Sequence, residues 1–201
     1  MAEDSIGLTS GTDEYLQTYA RTIASQERHA QMVLLGESGL VTYSVRADNI
    51  SIATSADHIL FVQSDGTNYT RIKRIAITPT SDIPVAASVA KIELIRTTSA
   101  GTGGSAVTPR PYDSGDAAYG GTCQTLPTAK GGEGATLYTW WLPIPAALGD
   151  HLDTREWVAL PGMKPFVFGT AAINGFCFKI ATGIASATVS IMVEVVTTAY
   201  L

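Results

Sequence analysis

The chain has 201 residues, of which 45% are hydrophobic and only 15% charged, with a net charge of −5. That composition supplies enough apolar material for a sizeable core and no basic run able to neutralise several phosphates, which argues against direct nucleic-acid binding. No run of about eighteen apolar residues occurs, so no membrane span is expected, and the Met1 end lacks the cationic start and apolar run of a secretory signal.

Residues 1–40 read as an N-terminal arm. Residues 1–13 are polar and aperiodic. Residues 15–23 leave two readings open: Leu16, Tyr19, Ala20 and Ile23 fall at helical spacing, while Tyr15, Tyr19 and Ile23 also suit one side of an extended chain. Residues 31–35 (QMVLL) suggest a strand, closed by the turn Gly36-Glu37-Ser38-Gly39.

From residue 41 to residue 201 almost every apolar run is strand-like. Val41, Tyr43 and Val45 alternate with Thr42, Ser44 and Arg46, and Ile50 and Ile52 repeat the pattern. Residues 59–62 form another run, followed by a turn and a strand over 69–78. In that strand Ile72 is out of phase with Ile75 and Ile77, which predicts a bulge near Lys73 and Arg74. Strands are expected at 89–97, 137–142, 156–159, 165–168, 175–180 and 187–198, and short helical turns at 81–88 and 145–150. In the last strand Val189, Ile191, Val193 and Val195 share one face, the mark of a half-buried antiparallel strand. Nothing alternates strand with long helix. The expected fold is all-β: an antiparallel two-sheet sandwich, of jelly-roll form, preceded by the arm.

Residues 99–135 form a long segment rich in glycine, threonine and alanine between two strand patterns. A loop of that length is uncommon in a compact domain unless it is functional or held by neighbours. Its start, Ser99-Ala100-Gly101-Thr102-Gly103-Gly104, superficially suggests a dinucleotide-binding turn. The continuation Val107-Thr108-Pro109-Arg110-Pro111 is extended and cannot open the helix such a site needs. His29, His58 and His151 are far apart, and Asp150-His151-Leu152-Asp153 has no companion at ligand spacing. No catalytic, metal-binding or cofactor-binding residue is expected, and the chain does not read as an enzyme. Cys123 and Cys177 read as two free thiols of a reducing cytoplasm. Trp140 and Trp141 are adjacent in a strand and so point to opposite faces, one to the core and one to solvent or a partner.

Thr97-Thr98-Ser99-Ala100-Gly101-Thr102-Gly103-Gly104, Val107-Thr108-Pro109-Arg110-Pro111 and residues 126–134 (LPTAKGGEG) together resemble a block of uncharacterised structural proteins of tailed bacteriophages. The segment 16–36, Asp57-His58-Ile59-Leu60 and Arg71-Ile72-Lys73-Arg74-Ile75 are similar to the same family. The resemblance implies a virion component made in the host bacterial cytoplasm, with no catalytic or ligand residues. The expected role is a capsid decoration or cement protein on the outside of the shell. Its partners would be the major capsid protein and copies of itself, as a homotrimer. The expected interface residues are Tyr15, Leu16, Tyr19 and Ile23 of the arm, with Arg110, Tyr112, Tyr119 and Trp140. Small side chains would let the long segment lie flat on a neighbouring subunit. The alternatives are a receptor- or glycan-binding module of a head fibre or tail, which would place a host glycan on an exposed tryptophan, and a neck or tail-completion protein.

Overall fold

The computed structural model describes residues 18–23, 26–31, 40–54, 57–80, 88–144, 153–160, 163–171 and 174–198. The chain divides into two compact units, Met1–Gly39 and Leu40–Leu201. In the first, β1 (Thr18–Ile23) and β2 (Gln26–Gln31) form an antiparallel ladder with Thr18 opposite Gln31 and Ile23 opposite Gln26. Of the two readings of 15–23, the described part is therefore extended, as its threonines, tyrosine and isoleucine favour. Strand β2 at Gln26–Gln31 was not expected; of the strand expected at 31–35 only Gln31 is described, and residues 32–35 lie outside the described residues, as do Tyr15, Leu16, residues 81–87 of the turn expected at 81–88 and the turn expected at 145–150.

The second unit is an antiparallel β-sandwich, and every element described in it is a strand. Its long strands are β3 (Val41–Ser51), β4 (His58–Gln63), β5 (Tyr69–Pro79), β6 (Ser88–Thr97), β10 (Glu133–Ile144), β13 (Gly175–Thr182) and β14 (Thr188–Thr198). Shorter ones are β7 (Ser105–Ala106), β8 (Arg110–Pro111), β9 (Cys123–Thr125), β11 (Arg155–Val158) and β12 (Val167–Phe168). One sheet has the order β10-β6-β13-β4-β9-β7; the other has β11-β5-β14-β3-β8, with β12 also paired to β5.

Period-two alternation builds the core between the sheets. Val189, Ile191, Val193 and Val195 of β14 are fully buried, as are Ile72, Ile75 and Ile77 of β5. They meet Ile92 and Leu94 of β6, Leu142 of β10 and Phe176, Phe178 and Ile180 of β13 in one cluster. Each such side chain contributes about 1.5–3 kcal/mol by leaving water.

The bulge in β5 occurs where the phase break placed it. Glu194 faces Arg74 and Val195 faces Ile72, which leaves Lys73 as the extra residue. The extra residue lets Ile72 and Ile75 both point inward, and it separates the two partners on the outer edge of β5. Strand β11 pairs with Arg74 to Ile77, and β12 with Thr70 and Arg71. A second bulge bends β3: Val189 faces Ile50 but Ile191 faces Ala47. There Asn49 takes a left-handed φ of 53°, a conformation asparagine tolerates better than most residues.

Candidate interaction surface

The segment 99–135 is the part of the sandwich that composition left undefined. It is not a free loop lying flat. Strand β9 adds to β4 and carries β7, while β8 adds to β3. Because β4 and β3 end their respective runs of long strands, the one segment extends both sheets on the same side. Thr102 and Ala129 exchange backbone hydrogen bonds of 2.9 and 3.0 Å, and the Thr98 N–H donates to Gly132 O at 2.9 Å. Its glycines are needed for close approach within this chain. A Cβ at Gly131 would collide with the Ser99 carbonyl, and one at Gly121 with the Gln63 carbonyl.

Beneath this segment lies a second, smaller apolar cluster. Phe61 of β4 and Ile95 of β6 both face Cys177 of β13, and these three buried residues pack with Ala100. All three point away from the main core, so the segment covers part of the outer face of its sheet. Nearby, the Gln124 side chain donates to Gly101 O. Further along, Tyr119 turns into the sandwich. Its hydroxyl donates to Gln63 O at 2.8 Å, and its ring meets Tyr43 edge-on at 5.1 Å. Burial raises the Tyr119 phenol well above its ordinary 10, and pushes the Cys123 thiol up to about 12. Cys123 and Cys177 are unbridged and buried in different clusters.

Two of the expected interface residues are thereby corrected. Tyr119 is 8% exposed and Trp140 is 4% exposed. Tyr119 fills the sandwich edge, and Trp140 packs at 5.9 Å on Phe178. Neither ring is offered to a partner. The outward member of the tryptophan pair is Trp141, 59% exposed, with the Lys91 ammonium 5.7 Å from its ring centre. Val89 and Pro143, opposite one another on β6 and β10, are exposed beside it. Pro143 lies on an edge strand, where the missing N–H costs no ladder bond.

Arg110 and Tyr112 remain at the surface. Arg110 is exposed in β8, and Tyr112 is 59% exposed just beyond it. The Tyr112 N–H donates to Thr42 O at 2.9 Å, and burial together with the nearby Glu194 carboxylate raises its phenol to about 12. Glu194 in turn lies 3.4 Å from Arg74, whose other partner is Glu156. A polar ladder thus crosses the outer face of this sheet from Glu156 of β11 through Arg74 of β5 to Glu194 of β14. Tyr19 and Ile23 both lie in β1.

Among the described residues no three histidine, cysteine, aspartate or glutamate side chains converge as a metal site. Nor is any described helix long and apolar enough to cross a membrane. In comparisons with known proteins, no family model, no curated protein and no solved structure matches this chain.

Proposed function

We propose that this chain is a structural protein of a tailed-bacteriophage particle, a decoration or cement protein that binds the outside of the major capsid shell as a homotrimer. The observation that carries the reading is the pair of exposed aromatic residues held on the sheets, Tyr112 with its N–H bonded to Thr42 O and Trp141 beside Lys91. Aromatic side chains fixed before contact lose little entropy on docking and dominate interface energetics. Support also comes from the resemblance of residues 97–111 and 126–134 to phage structural proteins.

Strand pairing adds to this. Among the eight strands β3, β4, β5, β6, β10, β11, β13 and β14, the first pairs with the last, the second with the seventh, the third with the sixth and the fourth with the fifth. That nested ribbon is how a jelly roll is wound, and we assign the sandwich to that architecture, which viral capsid and lectin domains share. Weak contacts repeated over a symmetric shell become strong through multivalency.

The test is the copy number of this chain in purified particles, by mass spectrometry against the major capsid protein. Hundreds of copies in simple ratio to the capsid protein are expected. Absence from particles overturns the reading, and a few to a few tens of copies replace it with a fibre, neck or tail position. A glycan-binding fibre module is the second reading, favoured by the exposure of Trp141; it requires glycan binding that Trp141→Ala abolishes.

A further inference from the structure

Among the described residues, β10 ends its sheet: β6 pairs with one side of it and no strand with the other. It is 12 residues long, whereas the strands β7, β8 and β11 that end the sheets elsewhere have two, two and four. Very short edge strands and charged edge residues are the usual means by which a sheet avoids pairing with another chain. Strand β10 has neither, for no residue from Gly134 to Ile144 carries a charge.

Its register shows which backbone groups point outward. Pro143 faces Val89, and proline has no N–H, so this pair does not exchange ladder hydrogen bonds. From Tyr138 to Ile144 the register runs without a shift, so alternation makes Trp141–Lys91 and Thr139–Glu93 non-bonded pairs as well. The N–H and C=O of Thr139 and Trp141 therefore face away from β6, and no described strand takes them. This open run is bounded on one side by Pro143 and on the other by the register shift between Thr136 and Tyr138.

The run is complementary to itself. About a two-fold axis at Trp140, Thr139 of each copy lies opposite Trp141 of the other. Every outward N–H then meets an outward C=O, and Pro143 is not called upon. The same register covers both exposed aromatic side chains of the strand. Trp141, 59% exposed on the outer face, comes diagonal to Trp141 of the second copy, within reach of aromatic rings. Tyr138, 41% exposed and tilted on Trp140 at 4.7 Å, comes opposite Leu142 of the second copy. An uncharged edge sets no like charges against one another when it meets its own image, as a two-fold contact requires.

We propose that two copies of this chain join edge to edge through β10, antiparallel about a two-fold axis at Trp140, so that one sheet runs on across the pair. The inference does not rest on the particle reading, and Tyr112, beyond β8 in the other sheet, takes no part in it.

The test is amide hydrogen exchange resolved to single residues, with sedimentation mass, over a dilution series of the full chain. The amides of Thr139 and Trp141 are expected to exchange fast in dilute protein and to slow about tenfold or more as concentration rises. Those of Trp140 and Leu142, bonded to β6, should be slow throughout. The mass should rise to an even number of chains. Thr139→Lys, which sets an ammonium on the edge across from Glu93, is expected to keep the fold by circular dichroism and to abolish the concentration dependence. Fast exchange of Thr139 and Trp141 at every concentration overturns the proposal, as does a final mass of one or three chains. Slowing that persists in folded Thr139→Lys overturns the location, and if that variant does not fold, the wild-type exchange pattern decides by itself. Copy number in particles does not enter, so this contact and the particle reading fail separately.

Discussion

The Nε2 atom of His58 lies 3.2 Å from Oε1 of Glu133, joining the start of β4 to the start of β10 across 75 residues of sequence. The Lys179 ammonium reaches the other oxygen of that carboxylate at 2.5 Å, and Lys130 pairs with Asp57 at 3.2 Å. These contacts pin the C-terminal end of the long segment to the first sheet. The His58 side chain is fully buried, and its Nδ1 has no hydrogen-bond partner among the described residues.

Burial is the main influence on His58 and draws its pKa below the ordinary 6.5, against the upward pull of Glu133. Between that lowered value and 6.5 the unfolded chain binds more protons than the folded one. The contribution of His58 is therefore complete above pH 6.5 and is lost as pH falls through the folded pKa. Glu133 is held below its ordinary 4.5, chiefly by Lys179, so its own contribution declines only at lower pH. Urea unfolding should show a lower midpoint at pH 5.5 than at pH 7.5, and His58→Gln should flatten that difference. An undiminished pH dependence in the variant would assign it to another group.

Adjacent tryptophans should behave oppositely. Trp140→Ala empties a site against Phe178 and Tyr138 and is expected to cost about 3–5 kcal/mol of stability. Trp141→Ala, on the exposed face, should stay within about 0.5 kcal/mol. Chemical denaturation of the two variants checks this directly.

At the β3 bulge, Asn49 has a positive φ. Asn49→Gly should be close to neutral, since glycine takes that conformation freely. Asn49→Val should lose roughly 1–2 kcal/mol or more from the strained backbone. Equal melting temperatures for the two variants would contradict the assigned turn geometry.

Packing of the long segment can be probed at its glycines. Gly131→Ala drives a Cβ into the Ser99 carbonyl, whereas at Gly115 the nearest atom is Asp113 Oδ1 at 3.4 Å, an ordinary contact. Limited proteolysis should cut within residues 99–135 faster in Gly131→Ala, and at the wild-type rate in Gly115→Ala. Similar protection of both would mean that the segment is not held by that contact.

Strand positions and inward faces were legible in the sequence wherever one face of a strand is buried and the other wet. Val189, Ile191, Val193 and Val195 show this, and even the Lys73 bulge was visible as a phase break. Strand β2 was not foreseen because Gln-Glu-Arg-His-Ala-Gln carries no apolar alternation; its partner β1 defines it. Strands β7, β8 and β9 were invisible because two or three residues hold no periodicity, and they exist only through the edges of β3 and β4.

Local alternation of apolar and polar residues, a property of neighbours in the chain, determined by itself that this protein is a two-sheet antiparallel sandwich. Tertiary structure alone decided which tryptophan of the pair is buried, since both strand faces carry apolar residues and only sheet packing distinguishes them. It also decided that Tyr119 closes an edge and that Phe61, Ile95 and Cys177 form a second cluster. Each of these depends on strand order, which brings together residues tens of positions apart and leaves no periodic trace in the sequence.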